Sequence, residues 1–242
     1  MIENVKKSLL NFRDGNQIFL DYDGTLVPIV IDPENCYAPD ELKQLLKILN
    51  DRYELYIVSG RTLEDLEKFL SMPLNFIYLH GLGAKVRGKD ISLIDNIQTY
   101  IEKFQRVKNA ILSDEFEGLR VYDKGFGVVF HLGLVPKKLH DEIIEKVEII
   151  ARENDLGLYY GKNLVEVKIM NINKGKAIRK LRNEKECMIA GDEETDEDAF
   201  RECRECISIH IGDGSSLAKF KLRDITEFRM ILDYLAYRPR TS

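Results

Sequence analysis

No apolar run in this chain approaches the ~20 residues that a membrane-crossing helix requires. The segment from Met1 to Asn16 carries charges throughout and lacks the apolar centre of a secretory signal, so a cytoplasmic protein is expected. Basic excess is missing as well. Thirty-six Lys and Arg stand against 41 Asp and Glu, a formal net charge of −5, which argues against a general nucleic-acid binder but is compatible with a local basic pocket for a phosphate. Cysteine is sparse, at four residues. Cys36, Cys187, Cys203 and Cys206 form no paired zinc pattern, and Cys203-Arg204-Glu205-Cys206 is a lone CxxC without a second pair or a nearby His. Reduced thiols are therefore expected, with a redox or half-metal site as the sharper alternative. Repeats and low-complexity linkers are absent. What remains is an ordinary globular composition, 44% apolar and 32% charged over 242 residues, enough for one large domain or two modest ones.

The first third alternates between two periodicities. Ile18-Phe19-Leu20, Leu55 to Val58 and Phe76 to Leu79 read as buried strands. Between them, Leu42, Leu45, Leu46 and Leu49 form a helical stripe after Asp40, and Thr62 with Asp65 three residues on marks another helix start. Val5, Leu9, Leu10 and Phe12 suit a short amphipathic helix. Strand and helix in alternation predict an α/β fold, a Rossmann-like parallel-sheet core with helices on both faces. The middle changes character: a long helix from Ile97 to Leu112, strands at 119–123 and 128–132, a helix over 136–152, and strands at 158–160 and 164–169. That is an α+β unit. The alternation then resumes with a helix from Lys174, a strand at Met188 to Ala190, a helix from Thr195, a strand at Ile207 to Ile211 and a helix over 225–237. The expected organisation is a core made of residues 1–84 and 168–242, interrupted by an inserted α+β cap at 85–167.

Chemistry-bearing residues gather where such sheets build sites, at the carboxyl ends of strands. Asp21-Tyr22-Asp23-Gly24-Thr25 follows the first strand, and residues i and i+2 of a strand share a face. Two carboxylates there repel unless a cation lies between them or one is protonated, an arrangement suited to Mg2+ holding a phosphate. Ser59-Gly60-Arg61 ends the second strand, offering a hydroxyl and a glycine amide that a phosphate can approach closely. Lys174 opens a helix and offers a point charge for a phosphoryl oxygen. Asp192, after Ile189-Ala190-Gly191, places another carboxylate on a strand end as a metal ligand. The acids at Glu193, Glu194, Asp196, Glu197 and Asp198 equally suit a helix start, where the dipole favours negative charge.

Taken in order, these four features resemble the motifs of the haloacid dehalogenase superfamily of phosphatases, with the insertion placed like that family's C2-type cap. Within it, Ser59-Gly60-Arg61, His80-Gly81, Val165-Glu166-Val167, Asn173-Lys174-Gly175 and Gly191-Asp192-Glu193-Glu194-Thr195-Asp196-Glu197-Asp198-Ala199-Phe200 look most like the trehalose-6-phosphate phosphatase family. The resemblance covers nearly the whole chain, but only scattered positions in the cap.

The resemblance implies a Mg2+-dependent phosphatase that acts on trehalose 6-phosphate through an aspartyl-phosphate on Asp21. Asp23 would be the acid and then the base. The Asp21 carboxylate, the Asp23 backbone carbonyl and Asp192 would hold Mg2+, and Ser59, Gly60 and Lys174 the phosphate. Thr25 would orient the Asp23 region, while Lys124, His131 and Glu166 would contact the sugar. Three positions depart from the family pattern. Glu193 stands for a second Asp, Phe130-His131-Leu132 for a His-Tyr-Arg run, and Lys168-Ile169-Met170 lacks a Pro. The alternatives are a phosphatase for sucrose 6-phosphate or a mannosyl-phosphoglycerate, a phosphosugar mutase, and a non-catalytic sugar-phosphate sensor. The expected partner is a small-molecule sugar phosphate, with neither nucleic acid nor membrane. No partner-binding signature is present, so the oligomeric state stays open, a monomer being compatible with it.

Overall fold

The run Gln17–Asp21 is buried at every position, and the two-residue period of a strand divides it between two cores. Ile18 and Leu20 join one cluster and Phe19 the other. A sheet with apolar side chains on both faces must be covered on both, and that requirement organises the larger part of the molecule. The computed structural model describes residues 1–30, 33–161, 163–170 and 172–240. In chain order the elements begin with α1 (Ile2–Ser8), β1 (Gln17–Asp21), α2 (Asp40–Asn50), β2 (Glu54–Val58), α3 (Leu63–Leu70), β3 (Asn75–Tyr78), β4 (Gly83–Val86) and β5 (Lys89–Ser92). Next come α4 (Ile97–Leu112), β6 (Arg120–Asp123), β7 (Gly127–His131), α5 (His140–Glu153), β8 (Leu156–Gly161) and β9 (Leu164–Ile169). The chain closes with α6 (Lys174–Leu181), β10 (Cys187–Gly191), α7 (Glu194–Glu202), β11 (Ile207–Ile211), β12 (Phe220–Leu222) and α8 (Ile225–Tyr237).

Two compact units result: Met1–Leu93 with Ile172–Ser242, and Ile94–Asn171. The first carries an eight-stranded sheet in the order β12-β11-β10-β1-β2-β3-β4-β5. From β12 to β3 all neighbours are parallel; β4 and β5 add as an antiparallel hairpin at the edge. One face is covered by α1, α2, α3 and α8 through residues such as Leu46, Phe69 and Leu232. The other is covered by α6 and α7 through Ala177, Ile178, Ala199 and Phe200. Helix α3 starts as its sequence requires, with Thr62 accepting the Asp65 amide. The boundary expected at residue 85 cuts through β4, and the sheet claims residues up to Leu93 for the first unit. Gly83-Ala84-Lys85 and the exposed Lys89–Ser92 carry little apolar periodicity, so only pairing to β3 makes them strands.

The second unit has a four-stranded antiparallel sheet, β6-β7-β9-β8. Helices α4 and α5 bury Phe104, Val107, Ile111, Ile143, Val147 and Ala151 and pack on its strands. On the other face, Tyr122, Val129, Glu166 and Tyr159 lie in one cross-strand row, with Arg120 opposite His131 in the next.

The thiol expectation needs correction. Cys187 and Cys206 are disulfide-bonded, and the CxxC is not a unit: Cys203 is a buried free thiol, like Cys36. The parallel register that sets Met188 beside Ile207 places the two preceding cysteines side by side, a proximity invisible in sequence spacing. No helix among the described residues is long and apolar enough to cross a membrane.

Candidate active site

Strand β1 is flanked by β10 on one side and β2 on the other, all three parallel, so their carboxyl ends bring Asp21, Ser59 and Asp192 to one edge of the sheet. Helix α6 adds Lys174 as its first residue, behind the N-cap Asn173. The Lys174 ammonium is 1% exposed and donates to Asp21 Oδ1 at 2.7 Å and to Asp196 Oδ1 at 2.8 Å. Asp196 is in turn fixed by the backbone, its Oδ2 accepting the amides of Asp192 and Glu193, each at 3.1 Å. Thr25 donates from Oγ1 to Asp192 Oδ1 at 2.9 Å. It therefore orients Asp192, and the expectation that it orients the Asp23 region is corrected. Gly24 is required by the same contact. Its φ is +83°, and a Cβ there would lie 2.0 Å from Asp192 Oδ2.

Electrostatically the site is short of positive charge. Burial pushes Asp21 well above the ordinary carboxylate range, with Lys174 pulling against it and Asp196 and Asp192 adding to it. Burial likewise lifts Asp192 to about 6, although the Thr25 hydrogen bond opposes the rise. Burial alone would depress Lys174; the Asp21 and Asp196 carboxylates more than offset it and hold the ammonium above its usual value. Three carboxylates against one ammonium leave two negative charges. Asp21, Asp192 and Asp196 each offer an oxygen within 4.8 Å of the others, and Asp21 Oδ2 is buried with no hydrogen-bond partner. Both Asp196 oxygens already accept hydrogen bonds, which leaves Asp21 and Asp192 as the carboxylates able to hold a metal. A hard divalent cation bound by one or two carboxylates fits that donor set.

Asp23 lies past the end of β1 and takes no part in that cluster. Its carboxylate faces Arg61 and Cys36, because the turn after Asp21 ends the shared face that strand alternation predicts. Ser59 is buried, and its Oγ accepts the Arg61 amide at 3.2 Å. Gly60 leaves room for the His80 ring, whose Nε2 would sit 2.4 Å from a Cβ. Glu193 is exposed at the start of α7. In the second unit, Lys124 and Glu166 pair at 2.9 Å, and His131 Nδ1 accepts the Gly133 amide at 3.2 Å. Sequence reasoning missed Asp196, Arg61 and Cys36. Asp196 had a signal, a second Asp four residues after Asp192, but a helix-start acid carries the same one. A cavity of about 670 Å³ opens at the other end of the first unit's sheet, beside Arg52, Glu54 and Asn75. It lies at the amino ends of β2 and β3, and of its charged side chains Lys85 pairs with Glu67 and Arg87 with Glu54.

The profile of the family described as trehalose-phosphatase matches residues 19–221, which span every residue of this site. The chain belongs to the trehalose-phosphatase family. It is on that ground a phosphatase. A trehalose-6-phosphate phosphatase-related protein of Thermoplasma acidophilum is 39% identical over 220 residues, covering 90% of this chain and 96% of that one. A bifunctional trehalose-6-phosphate synthase/phosphatase of Thermoproteus tenax is 28% identical, and the match spans 90% of this chain but 31% of that protein. A crystal structure of a trehalose-6-phosphate phosphatase related protein aligns with a TM-score of 0.76 at 38% identity, covering 91% and 97% of the two chains. The C-terminal domain of the C. albicans trehalose-6-phosphate phosphatase shares the fold, with a TM-score of 0.70 at 22% identity over 97% of this chain and 94% of that one.

Proposed function

We propose that this member of the trehalose-phosphatase family hydrolyses trehalose 6-phosphate to trehalose and phosphate, with Asp21 as nucleophile and Asp23 as acid and base. The observation that carries the reading is the buried Asp21–Lys174–Asp196 triad, with Asp21 Oδ2 left unpartnered beside Asp192. A bound cation would give that oxygen the partner it lacks, and a buried unpaired acceptor costs ~1–3 kcal/mol.

Asp21, Asp192 and the backbone carbonyl of Asp23 would hold Mg2+, and Asp21 is ionised when it does. Bound there, the ion supplies the positive charge that lets an anionic nucleophile meet an anionic phosphate. Asp21 attacks phosphorus as the bond to the sugar oxygen breaks, and Asp23 gives that oxygen its proton. Water then attacks the phosphorus of the aspartyl-phosphate, Asp23 takes the proton, and Asp21 is restored. Lys174 keeps its charge throughout, fixed by Asp196, and offers it to the phosphoryl oxygens. Ser59 accepts the Arg61 amide, which leaves its hydroxyl proton to donate to the same group. Lys124, His131 and Glu166, in the second unit, would serve the sugar.

The test is phosphate release, with Mg2+, from trehalose 6-phosphate, sucrose 6-phosphate, glucose 6-phosphate and mannose phosphates. Preference for trehalose 6-phosphate supports the whole reading. Preference for another sugar keeps the catalytic residues and discards the cap contacts. Binding without release from any of them contradicts the enzymatic reading.

A further inference from the structure

Asp23 is gripped by two side chains that the reaction above leaves unused. The Arg61 guanidinium donates from Nε to Oδ2 and from Nη2 to Oδ1, each at 2.6 Å. The Cys36 thiol donates to Oδ1 at 3.2 Å. Cys36 is fully enclosed, at 2% exposure, and its backbone is pinned. The Tyr22 hydroxyl donates to the Cys36 carbonyl at 2.6 Å, and two residues on the Ala38 amide donates to the Phe69 carbonyl at 3.2 Å. A side chain needed only for packing would have no reason to present its one donor to a carboxylate.

The count of acceptor sites turns this geometry into a role. Each carboxylate oxygen has two lone-pair directions. Oδ1 receives both Arg61 and Cys36, so its directions are filled, whereas Oδ2 receives Arg61 alone. We propose that Cys36 is a positioning residue for Asp23, committing Oδ1 as an acceptor so that Oδ2 is the oxygen that gives and takes the proton. The inference rests on the reading of Asp23 as acid and base. In the first step the Asp21–phosphorus bond forms, the phosphorus–oxygen bond breaks with its electron pair going to the leaving oxygen, and that oxygen takes the proton from Asp23 Oδ2. Without Cys36, Arg61 still holds both oxygens, but Oδ1 regains a free acceptor direction and competes for the proton.

The readout is the dependence on leaving group, because only a basic leaving oxygen needs the proton. Values of kcat/KM, which report steps up to aryl-group departure, are compared for phenyl phosphate and p-nitrophenyl phosphate in the 242-residue chain with Mg2+. Cys36→Ala and the near-isosteric Cys36→Val remove the donor, Cys36→Ser keeps one, and thermal melting checks that each variant folds. A single hydrogen bond from a weak thiol donor sets the scale: phenyl phosphate turnover falls about fivefold in Cys36→Ala and Cys36→Val, while p-nitrophenyl phosphate stays within about twofold. Cys36→Ser recovers the phenyl phosphate rate to within about twofold. The proposal is overturned if both substrates fall together, if neither falls, or if Cys36→Ser behaves as Cys36→Ala does. Wild-type protein that cleaves both aryl phosphates but no sugar phosphate would refute the trehalose 6-phosphate reading and leave this test intact.

Discussion

At the scale of single residues, Lys174 is the pivot, one buried ammonium serving two carboxylates. Removing one partner of a buried charge network costs about 3–5 kcal/mol, because the remaining charges lose their compensation. Lys174→Met is therefore expected to abolish turnover and to lower stability by about that much at pH 8, and by less at pH 5, where the orphaned acids can protonate. Chemical denaturation at the two pH values checks this. A second expectation follows from Asp192. Its ordinary value is 3.8 and its folded value about 6, so between those limits the folded state binds the extra proton. Stability of the metal-free protein is then full below the unfolded value and falls as pH rises through about 6. Divalent cation competes for the same oxygens, so stabilisation by Mg2+ should grow across that window. Melting curves with EDTA and with Mg2+ from pH 4.5 to 8 test it, and a flat difference between them would contradict the metal site. Most of this was legible in sequence because Asp21, Ser59, Lys174 and Asp192 each follow a strong apolar run or open a helix. Asp196 was not, since a helix-start acid and a lysine-fixing acid look alike until Lys174 Nζ is placed between the carboxylates.

Elements decide how those residues meet. The turn after β1 and the turn after β10 pack against each other through Gly24 and Asp192, with no room for a methyl group. Gly24→Ala is expected to leave the sheet intact and to weaken divalent-cation affinity by roughly 10–100-fold, the range for losing the support of a metal ligand. Titration calorimetry with Mg2+ or Mn2+ measures it, and unchanged affinity would contradict the placement of Asp192. The periodicities that exposed the buried strands failed at β4, β5 and β12. These strands of three or four residues at the two ends of the sheet are too short, and too mixed with Lys, Gly or polar residues, to show a period. Their identity comes from the neighbour they pair with, which a local reading of sequence does not contain. The Cys187–Cys206 bond belongs to the same class, since it depends on β10 and β11 being adjacent.

For the whole molecule, the feature that matters is that the site-bearing unit is assembled from both ends of the chain. Helix α8 contributes Phe228, Ile231, Leu232 and Leu235 to the cluster that also holds Val5, Leu46 and Leu55. Burying each such side chain contributes about 1.5–3 kcal/mol, so losing four removes as much as the ~5–15 kcal/mol that stabilises a typical domain. A chain ending before Asp224 is therefore expected to lose cooperative folding, seen as a missing thermal transition by circular dichroism, although it keeps every residue assigned to the site. The interruption of the α/β alternation was plain in sequence. Its edge was not, because the hairpin β4–β5 belongs to the sheet by pairing rather than by pattern.

The central claim, a phosphoryl group carried by Asp21, is tested most directly by trapping it. Protein turning over trehalose 6-phosphate with Mg2+ is quenched, reduced with borohydride, digested and analysed by mass spectrometry. An acyl phosphate at Asp21 is reduced to the alcohol, so the account predicts a peptide spanning Asp21 that has lost one oxygen and gained two hydrogens there. Steady phosphate release with Asp21 unmodified, or reduction at a different carboxylate, would contradict it.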